Sequence, residues 1–298
     1  MVALYHLPVP VITSIKDDHL ALLRELRTQA GRAGAGACLL EGAALIGQAL
    51  DAGAVVRFVI RAEGDRDPLA ARLAPAGVPL LDVRESVLRQ ALHTAKPVRW
   101  VAVAELAAEA GDEVPYGDFA VLLDGVADPG NLGTIVRTAV GLGVSDVVCT
   151  AAETDLTSRK VLDAARATVL RARIRRFPSP PDAVRALRER GFEVVATSSY
   201  GAIDQSLTPL HGGPVALVVG NETDGISQPV LDLADHVVRI PMAGAVESLN
   251  VGVATGISLY ELRSLRAEQR ALAALPETER ARLNSLLREV RSGDQPTH

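Results

Sequence analysis

The sequence predicts an α/β protein in which helices cover both faces of a parallel sheet. Short apolar runs alternate with helical stretches along most of the 298 residues. Hydrophobic residues make up 48% of the chain and aromatic residues only 3%, which indicates a sizeable aliphatic core. The length suits one large domain or two ordinary ones.

The first half of the chain supplies six elements and ends in a change of composition. We expect helices over 20–30, 41–52 and 85–92, and strands over 55–60, 78–81 and 98–103. Residues 107–118 (AAEAGDEVPYGD) then mix acids, glycines and a proline, which is typical of a linker.

The second half alternates more regularly. We expect strands over 120–123, 146–149, 193–196, 215–219 and 236–240, and helices over 131–142, 158–168, 181–190, 228–234 and 250–268. After Pro276, a charged amphipathic stretch predicts a short helix. It either packs against a partner or lies in solvent, and we favour the solvated tail.

The composition argues against several classes of protein. A formal net charge of −5 argues against a general basic coat for nucleic acid, although it allows a local basic patch. Cys38 and Cys149 lie far apart, so we expect free thiols and no zinc site. The six histidines show no metal-ligand spacing. The start lacks a signal-peptide pattern, and no apolar run reaches the roughly 20 residues that span a bilayer. We therefore expect a cytoplasmic protein without metal or membrane contact.

A first motif, DGVADPGNLGTIVRTAVGLG (124–143), leaves a strand and enters a helix. We expect Asn131 to be the helix N-cap, where free amides and the helix dipole suit an anion. Gly133 and Arg137 lie four residues apart and share a helix face. The motif is not GxGxxG, so no dinucleotide fingerprint is predicted. Taken alone, it is better explained by a cap and a surface arginine.

A second motif, ALVVGNETDGIS (216–227), ends a buried strand at Gly220 and then presents Asn221 and Glu222. In open α/β sheets, ligands bind at the carboxyl ends of the strands. Gly220 would let a ligand approach the backbone there. The alternative is an ordinary turn with a solvated Glu222.

A third motif, IPMAGAVESLNVGVATG (240–256), places Glu247, Ser248 and Asn250 in an apolar run before the longest helix. In the purely structural interpretation, Ser248 and Asn250 cap that helix. The surrounding residues predict a buried helix start, where Asn250 needs hydrogen-bond partners. A packed loop of this kind also suits an adenine held by backbone groups.

Together and in this order, NxGxxxR, GNExxG and IPM…SLN resemble the SpoU (TrmH-type) family of RNA ribose 2′-O-methyltransferases in the SPOUT superfamily. The resemblance covers residues 118–262, although many relatives carry a serine where Gly252 stands. The first half, through CLLEGAALIGQALDAG and a strand, resembles that family's N-terminal RNA-binding domain, which is similar to ribosomal protein L30e.

The resemblance implies an α/β fold in four segments. They are an L30e-like α/β RNA-substrate-binding domain (1–107), a linker (108–118), a SPOUT methyltransferase domain with a parallel sheet and a deep trefoil knot (119–270), and a helical tail (271–298). The knot is an exception to the rule against threaded chains.

The resemblance also implies the cofactor and the site residues. S-adenosylmethionine would lie in backbone loops and supply a methyl group to a ribose 2′-hydroxyl. The cofactor-binding residues would be Thr197, Gly220, Ile240, Met242 and Leu249. The catalytic residues would be Arg137, Asn131, Glu222, Ser248 and Asn250. Arg137 would be either a general base or a clamp on the adjacent RNA phosphate. We favour the clamp, because a guanidinium stays protonated at neutral pH.

The expected partners are RNA and a second copy of the chain. The family is homodimeric, with active sites built from both subunits, and the helix after Asn250 is the interface candidate. The run SRKVLDAARATVLRARIRRF (158–177) predicts a phosphate-facing patch, with Arg159, Lys160 and Arg166 joining Arg137. The alternative is a solvated helix face and an edge strand.

The large N-terminal domain favours structured 23S rRNA over tRNA as the substrate. Residues 86–106 loosely resemble the thiopeptide-resistance enzymes, which makes antibiotic resistance a minority alternative. Another alternative is a non-catalytic RNA-binding or ribosome-assembly protein that keeps the fold. A nucleotide-binding enzyme of another kind is disfavoured because GxGxxG and Walker patterns are absent.

Overall fold

A computed structural model describes residues 11–111, 113–150, 155–243, 248–279, 282, 285 and 286. The chain divides into two compact units. The N-terminal unit runs up to Ala108 and includes Asp155–Arg171, and the C-terminal unit consists of Glu109–Thr154 and the residues from Ala172 onward. The domain boundaries expected from the sequence stay a prediction.

The N-terminal unit contains a four-stranded sheet with helices. The helices are α1 (Asp18–Glu25), α2 (Gln29–Ala35), α3 (Ala43–Asp51), α4 (Leu69–Leu73) and α5 (Glu85–Leu92), and the strands are β1 (Ala37–Glu41), β2 (Val56–Ala62), β3 (Leu80–Val83) and β4 (Trp100–Glu105). The sheet order is β1-β4-β2-β3. Of these neighbouring strands, β2 and β3 pair in parallel, and the other two pairs are antiparallel. Leu20, Leu23 and Leu88 lie in its core.

One expectation for this unit is wrong, and another differs from the structure in where its helix begins. The single helix over 20–30 is two helices, because Thr28 caps α2 by accepting a hydrogen bond from the Gly31 amide. A Cβ at Gly31 would lie 2.0 Å from the Glu25 carbonyl oxygen, so the two helices meet where only glycine fits. The helix expected over 41–52 begins at Ala43, and the residues before it form β1.

The remaining elements follow the linker region. The helices are α6 (Pro129–Gly141), α7 (Arg159–Ala164), α8 (Pro180–Glu189), α9 (Gln228–Leu231) and α10 (Val251–Ala273), and the strands are β5 (Phe119–Asp124), β6 (Asp146–Thr150), β7 (Arg173–Phe177), β8 (Glu193–Thr197), β9 (Ile203–Asp204), β10 (Val215–Gly220) and β11 (His236–Arg239). Of these, α7 belongs to the N-terminal unit and packs against β1.

The sheet of the C-terminal unit has seven strands in the order β7-β6-β5-β10-β8-β11-β9. Every neighbouring pair is parallel, which confirms the predicted parallel sheet. All carboxyl ends therefore lie at one edge and all amino ends at the other. Helices α8 and α9 cover one face, while α10 packs against α6 and β10. The trefoil knot stays a prediction.

Three further expectations concern single features. The expected helical tail (271–298) lies mostly outside the described residues, although α10 itself continues to Ala273. No helix in the described ranges has the length and apolarity that crossing a membrane requires. Cys38 and Cys149 are buried free thiols, and burial raises their pKa values to about 12 and about 11.

Candidate active site

The carboxyl edge of the seven-stranded sheet brings together the ends of three neighbouring strands. Strand β8 lies between β10 and β11, so Thr197, Gly220 and Ile240 end or follow adjacent strands. Thr197 Oγ1 donates to the Val218 carbonyl oxygen at 3.1 Å, which ties the end of β8 to β10. Three of the five predicted cofactor-binding residues thus share one edge.

The other two predicted cofactor-binding residues follow β11. The Met242 side chain is exposed and that of Leu249 is partly buried. Their backbone groups make no hydrogen bond to another described residue. Residues 244–247, which include Glu247 of the third motif, lie outside the described residues.

The N-cap of α6 lies three residues before Asn131, the N-cap that the sequence predicted. Asp128 is the N-cap, and its Oδ1 accepts from the Asn131 amide at 2.8 Å. Pro129 follows at the first helical position, where its missing N–H costs nothing. The expectation for Asn131 is therefore wrong. The Asp-Pro pair in the sequence is the signal that identifies the true cap.

Because Asp128 caps α6, the side chain of Asn131 is available to bridge the second and third motifs. Its Nδ2 donates to Glu222 Oε1 at 2.7 Å, and its Oδ1 accepts from Asn250 Nδ2 at 2.8 Å. We call Glu222, Asn131 and Asn250 the polar triad. Glu222 and Asn250 lie 91 and 119 residues from Asn131 in the chain, so these two hydrogen bonds connect all three motifs.

The carboxylate fixes the direction of every hydrogen bond in the triad. An ionised carboxylate only accepts, so Asn131 must present its amino group to Glu222. The Asn131 oxygen then faces Asn250, which must present its own amino group. The Asn250 oxygen is left for the helix that follows. The orientation of both amides follows from this network rather than from the amide shapes.

Asn250 caps α10 as the structural interpretation expected. Its Oδ1 accepts from the amides of Gly252 at 3.0 Å and Val253 at 3.3 Å. The side chain is exposed, so the expectation of a buried asparagine is wrong. Gly252 itself is buried, and a Cβ there would lie 2.8 Å from Thr134 Cγ2 of α6. The absence of a side chain lets the two helices approach closely beside the triad.

The loop after β10 is built by its own backbone. A Cβ at Gly220 would lie 2.3 Å from the Gly225 carbonyl carbon, so the turn after β10 itself requires a glycine here. Asn221 Nδ2 donates to the Gly125 carbonyl oxygen at 2.8 Å, and its Oδ1 accepts from the Thr223 amide at 2.8 Å. This role of Asn221, which fixes the loop at the position directly before Glu222, was not predicted from the sequence.

The remaining two catalytic candidates make no hydrogen bond to the triad. Arg137 is exposed on α6 and makes no hydrogen bond or ion pair with any described residue. Ser248 is exposed before α10 and likewise has no partner in the described part of the chain. The structure therefore joins Asn131, Glu222 and Asn250 by hydrogen bonds, and Arg137 and Ser248 have no partner among the described residues.

The basic run 158–177 does not form one surface. Arg175 is 2% exposed and contacts Asp146 at 2.8 Å, and its guanidinium stacks 3.5 Å from the Tyr116 ring. Arg173 also pairs with Asp146, at 2.6 Å. These arginines hold the C-terminal unit together, which the sequence pattern did not reveal.

The predicted RNA contacts in that run belong to the N-terminal unit. Arg159 is exposed but lies 3.0 Å from Glu41, whose pKa burial raises above its ordinary value despite this arginine. Lys160 and Arg166 are exposed and have no ion-pair partner within the described ranges. No group of three His, Cys, Asp or Glu side chains that could hold a metal occurs among the described residues.

The sequence of this chain matches two family models and is similar to known RNA methyltransferases. Residues 118–260 match the family model described as the SpoU rRNA Methylase family, and residues 18–102 match an MRM3-like substrate binding domain. The chain is 34% identical to an uncharacterized tRNA/rRNA methyltransferase of Synechocystis, covering 85% of this chain and 93% of that protein.

Two further relatives are an rRNA methyltransferase from Bacillus subtilis and one from Sinorhizobium meliloti. A Bacillus subtilis 23S rRNA (guanosine(2553)-2′-O)-methyltransferase, RlmP, is 29% identical over 85% of this chain and 98% of its own length. The crystal structure of an AdoMet-bound rRNA methyltransferase from Sinorhizobium meliloti is 31% identical, with a TM-score of 0.71 over 86% of this chain and 97% of that one.

Proposed function

Because the chain belongs to the SpoU rRNA methylase family, we propose that it uses S-adenosylmethionine to methylate a ribose 2′-hydroxyl in RNA, with 23S rRNA as the favoured substrate. The observation that carries this proposal is the polar triad, which joins all three motifs through two hydrogen bonds. Resistance to an antibiotic stays an untested prediction.

The residues at the carboxyl edge fit the cofactor. Met242 offers an exposed apolar side chain, and the backbone groups of Met242 and Leu249 are free of hydrogen bonds to the described residues. Such groups suit an adenine and a methionine moiety, so we assign Thr197, Gly220, Ile240, Met242 and Leu249 to cofactor binding. The cofactor supplies an electrophilic methyl group carried on a sulfonium.

The polar triad would orient the sugar hydroxyl and receive its proton. Glu222 Oε1 is used by Asn131, whereas Oε2 has no partner among the described residues. That free oxygen would accept a hydrogen bond from the 2′-hydroxyl and then its proton as the oxygen attacks. Asn131 and Asn250 hold the carboxylate in one position, which is how such groups lower a barrier. Ser248 lies two residues before Asn250 and would contact the substrate from the same loop.

Arg137 would hold the RNA by a phosphate. A guanidinium is a poor base at neutral pH but binds phosphate through two parallel hydrogen bonds. Arg137 has no competing partner within the described part of the chain, so its donors remain available. Arg159, Lys160 and Arg166 would add phosphate contacts from the N-terminal unit.

We also propose that the chain forms a homodimer through α10. Val253, Ile257 and Tyr260 are 51%, 39% and 69% exposed, and their spacing of four and three residues places them on one helix face. An exposed apolar stripe of this kind marks an interaction surface. A second copy would bury the stripe, and Ile257→Glu should shift the mass measured by light scattering from dimer to monomer.

Methylation of total rRNA and tRNA with labelled cofactor tests the proposed function. Wild-type protein should label rRNA, and Arg137→Ala should lose most of this activity while cofactor binding by calorimetry stays unchanged. Arg137→Lys keeps the charge but not the two-donor geometry and should recover only part of the rate. Labelling of tRNA alone would show that the substrate is tRNA and not 23S rRNA. Absence of cofactor binding would instead favour a non-catalytic RNA-binding protein.

A further inference from the structure

A cavity of about 470 Å³ lies at the opposite edge of the sheet, among the amino ends of the strands. Its lining includes Phe119 at the start of β5, Ser145 just before β6, and Arg173 at the start of β7. Because the strands are parallel, this edge is the one remote from the polar triad. The cavity therefore does not belong to the proposed active site.

Four arginines dominate the lining. Arg263, Arg266 and Arg270 of α10 join Arg173, and their spacing of three and four residues places them on one face of the helix. This face differs from the apolar stripe, because Arg266 lies about 120° around the helix from Tyr260 at roughly 100° per residue. The two surfaces of α10 can thus serve different partners.

The carboxylates near the cavity do not neutralise these arginines. Asp118 is shared by Arg266 at 3.0 Å and Arg270 at 3.2 Å. Asp146 is likewise shared, between Arg173 and a buried neighbour, Arg175. Each carboxylate thus leaves one positive charge uncompensated, and Arg263 adds a third.

Two guanidinium groups keep unused donors. Arg263 is exposed and makes no hydrogen bond or ion pair with any described residue. It lies beside Gly143, where a Cβ would be 3.4 Å from its Nη1, and the positive φ of 78° there also favours glycine. Arg266 is 5% exposed, and its buried Nη2 has no hydrogen-bond partner in the described structure. An unpaired charged donor in such a place is costly unless an acceptor arrives.

We propose that this cavity binds a phosphate group. Arginine forks match the oxygens of phosphate, and the cavity is large enough for a phosphate with an attached sugar. The phosphate belongs either to an RNA backbone or to a free nucleotide-like ligand. The RNA source rests on the proposed function, since an RNA substrate that extends around the C-terminal unit would bring its backbone to this edge. The free-ligand source is independent of methyl transfer.

Titration of the full chain with two probes tests the proposal. The probes are inorganic pyrophosphate, followed by calorimetry, and a fluorescent single-stranded RNA oligonucleotide, followed by anisotropy at low salt. Arg263→Ala should weaken binding about tenfold, which corresponds to one charge-assisted hydrogen bond. Arg263 has no partner within the described ranges, so the variant should keep the thermal midpoint of the wild type.

Arg185→Ala is the matched control. Arg185 is an exposed arginine of α8 whose only ion-pair partner among the described residues is Asp182, at 3.0 Å. Its removal changes the net charge by the same amount and should leave both affinities unchanged.

The pattern of loss separates the two sources. Weakened binding of both probes, or of RNA alone, assigns an RNA phosphate to the cavity. Weakened binding of pyrophosphate alone assigns a free phosphate ligand. Equal affinities for wild type and Arg263→Ala with both probes, or equal losses in the Arg185→Ala control, would overturn the proposal. S-adenosylmethionine binding, measured on the same samples, reports separately on the proposed function.

Discussion

Asn250→Asp separates the two roles of one side chain. In the wild type, Asn250 Oδ1 caps α10 and Nδ2 donates to Asn131 Oδ1 at 2.8 Å. Aspartate ranks with asparagine as an N-cap, and its charge is favourable at a helix N-terminus by about 0.3–1 kcal/mol. It has no amino group, however, so the triad loses a hydrogen bond worth about 0.5–1.5 kcal/mol. The net change in the free energy of unfolding should stay within about 1 kcal/mol.

The same substitution should disable the triad in either orientation of Asn131. If Asn131 keeps its orientation, its Oδ1 faces a carboxylate oxygen of the introduced side chain, which cannot donate. If Asn131 turns, its oxygen faces the Glu222 carboxylate instead. One pair of acceptors is opposed in both cases. Misplacement of a catalytic group costs about 10²-fold in rate, so we expect a loss of this size.

Asn250→Ala is the comparison that makes this prediction sharp. It removes the cap and the hydrogen bond together, so it should lower the free energy of unfolding by about 2 kcal/mol as well as the rate. Thermal denaturation and single-turnover methylation measure the two effects. Full activity in Asn250→Asp, or a loss of stability as large as that of Asn250→Ala, would refute the reasoning.

Two further substitutions test contacts within the C-terminal unit. Asp146→Asn should lower the free energy of unfolding by about 3–5 kcal/mol, because Arg175 stays buried beside a neutral group. Asp204→Asn, which removes the more exposed ion pair with Arg239, should lower the free energy of unfolding by less than about 1 kcal/mol. Although burial raises the pKa of Asp146, its hydrogen bonds lower it overall, so its contribution is full above about pH 4 and is lost as the pH falls further. The difference from wild type in thermal midpoint should therefore shrink in acid. Gly220→Ala would press a Cβ on Gly225 and should weaken S-adenosylmethionine binding in calorimetry; unchanged affinity and midpoint would contradict the geometry.

The parallel sheet was predictable because five of its seven strands contain short apolar runs separated by helical stretches, whereas β7 (RIRRF) and β9 (ID) carry no such run and were missed. Strand β10 reads VALVVG, is wholly buried, and ends at the glycine that the motif predicted. The meeting of Asn131, Glu222 and Asn250 was predictable only from the family resemblance, because periodicity does not bring distant motifs together. Their hydrogen bonds were missed because the sequence analysis made Asn131 the cap of α6, whereas Asp128 caps the helix and leaves the Asn131 side chain available.

Charged residues were the weakest part of the prediction. Arg175 and its neighbours look like a basic surface in the sequence, because a list of arginines does not show which carboxylates fold back onto them. Asp146 stands 27 residues from Arg173 and 29 from Arg175, beyond the reach of any local pattern. Strand β1 was missed because only Gly42 separates its apolar run from the apolar start of α3, so the sequence pattern shows no clear boundary between them.

The contact between Gly252 and Thr134 has an evolutionary consequence. The two positions compete for one small volume, because a Cβ on the first would lie 2.8 Å from a methyl carbon of the second. A chain with serine at the first position must therefore carry a smaller residue at the second or separate its helices slightly. Substitutions at these two sites should be correlated across an alignment of relatives, and the double change Thr134→Ala with Gly252→Ser should be tolerated better than Gly252→Ser alone.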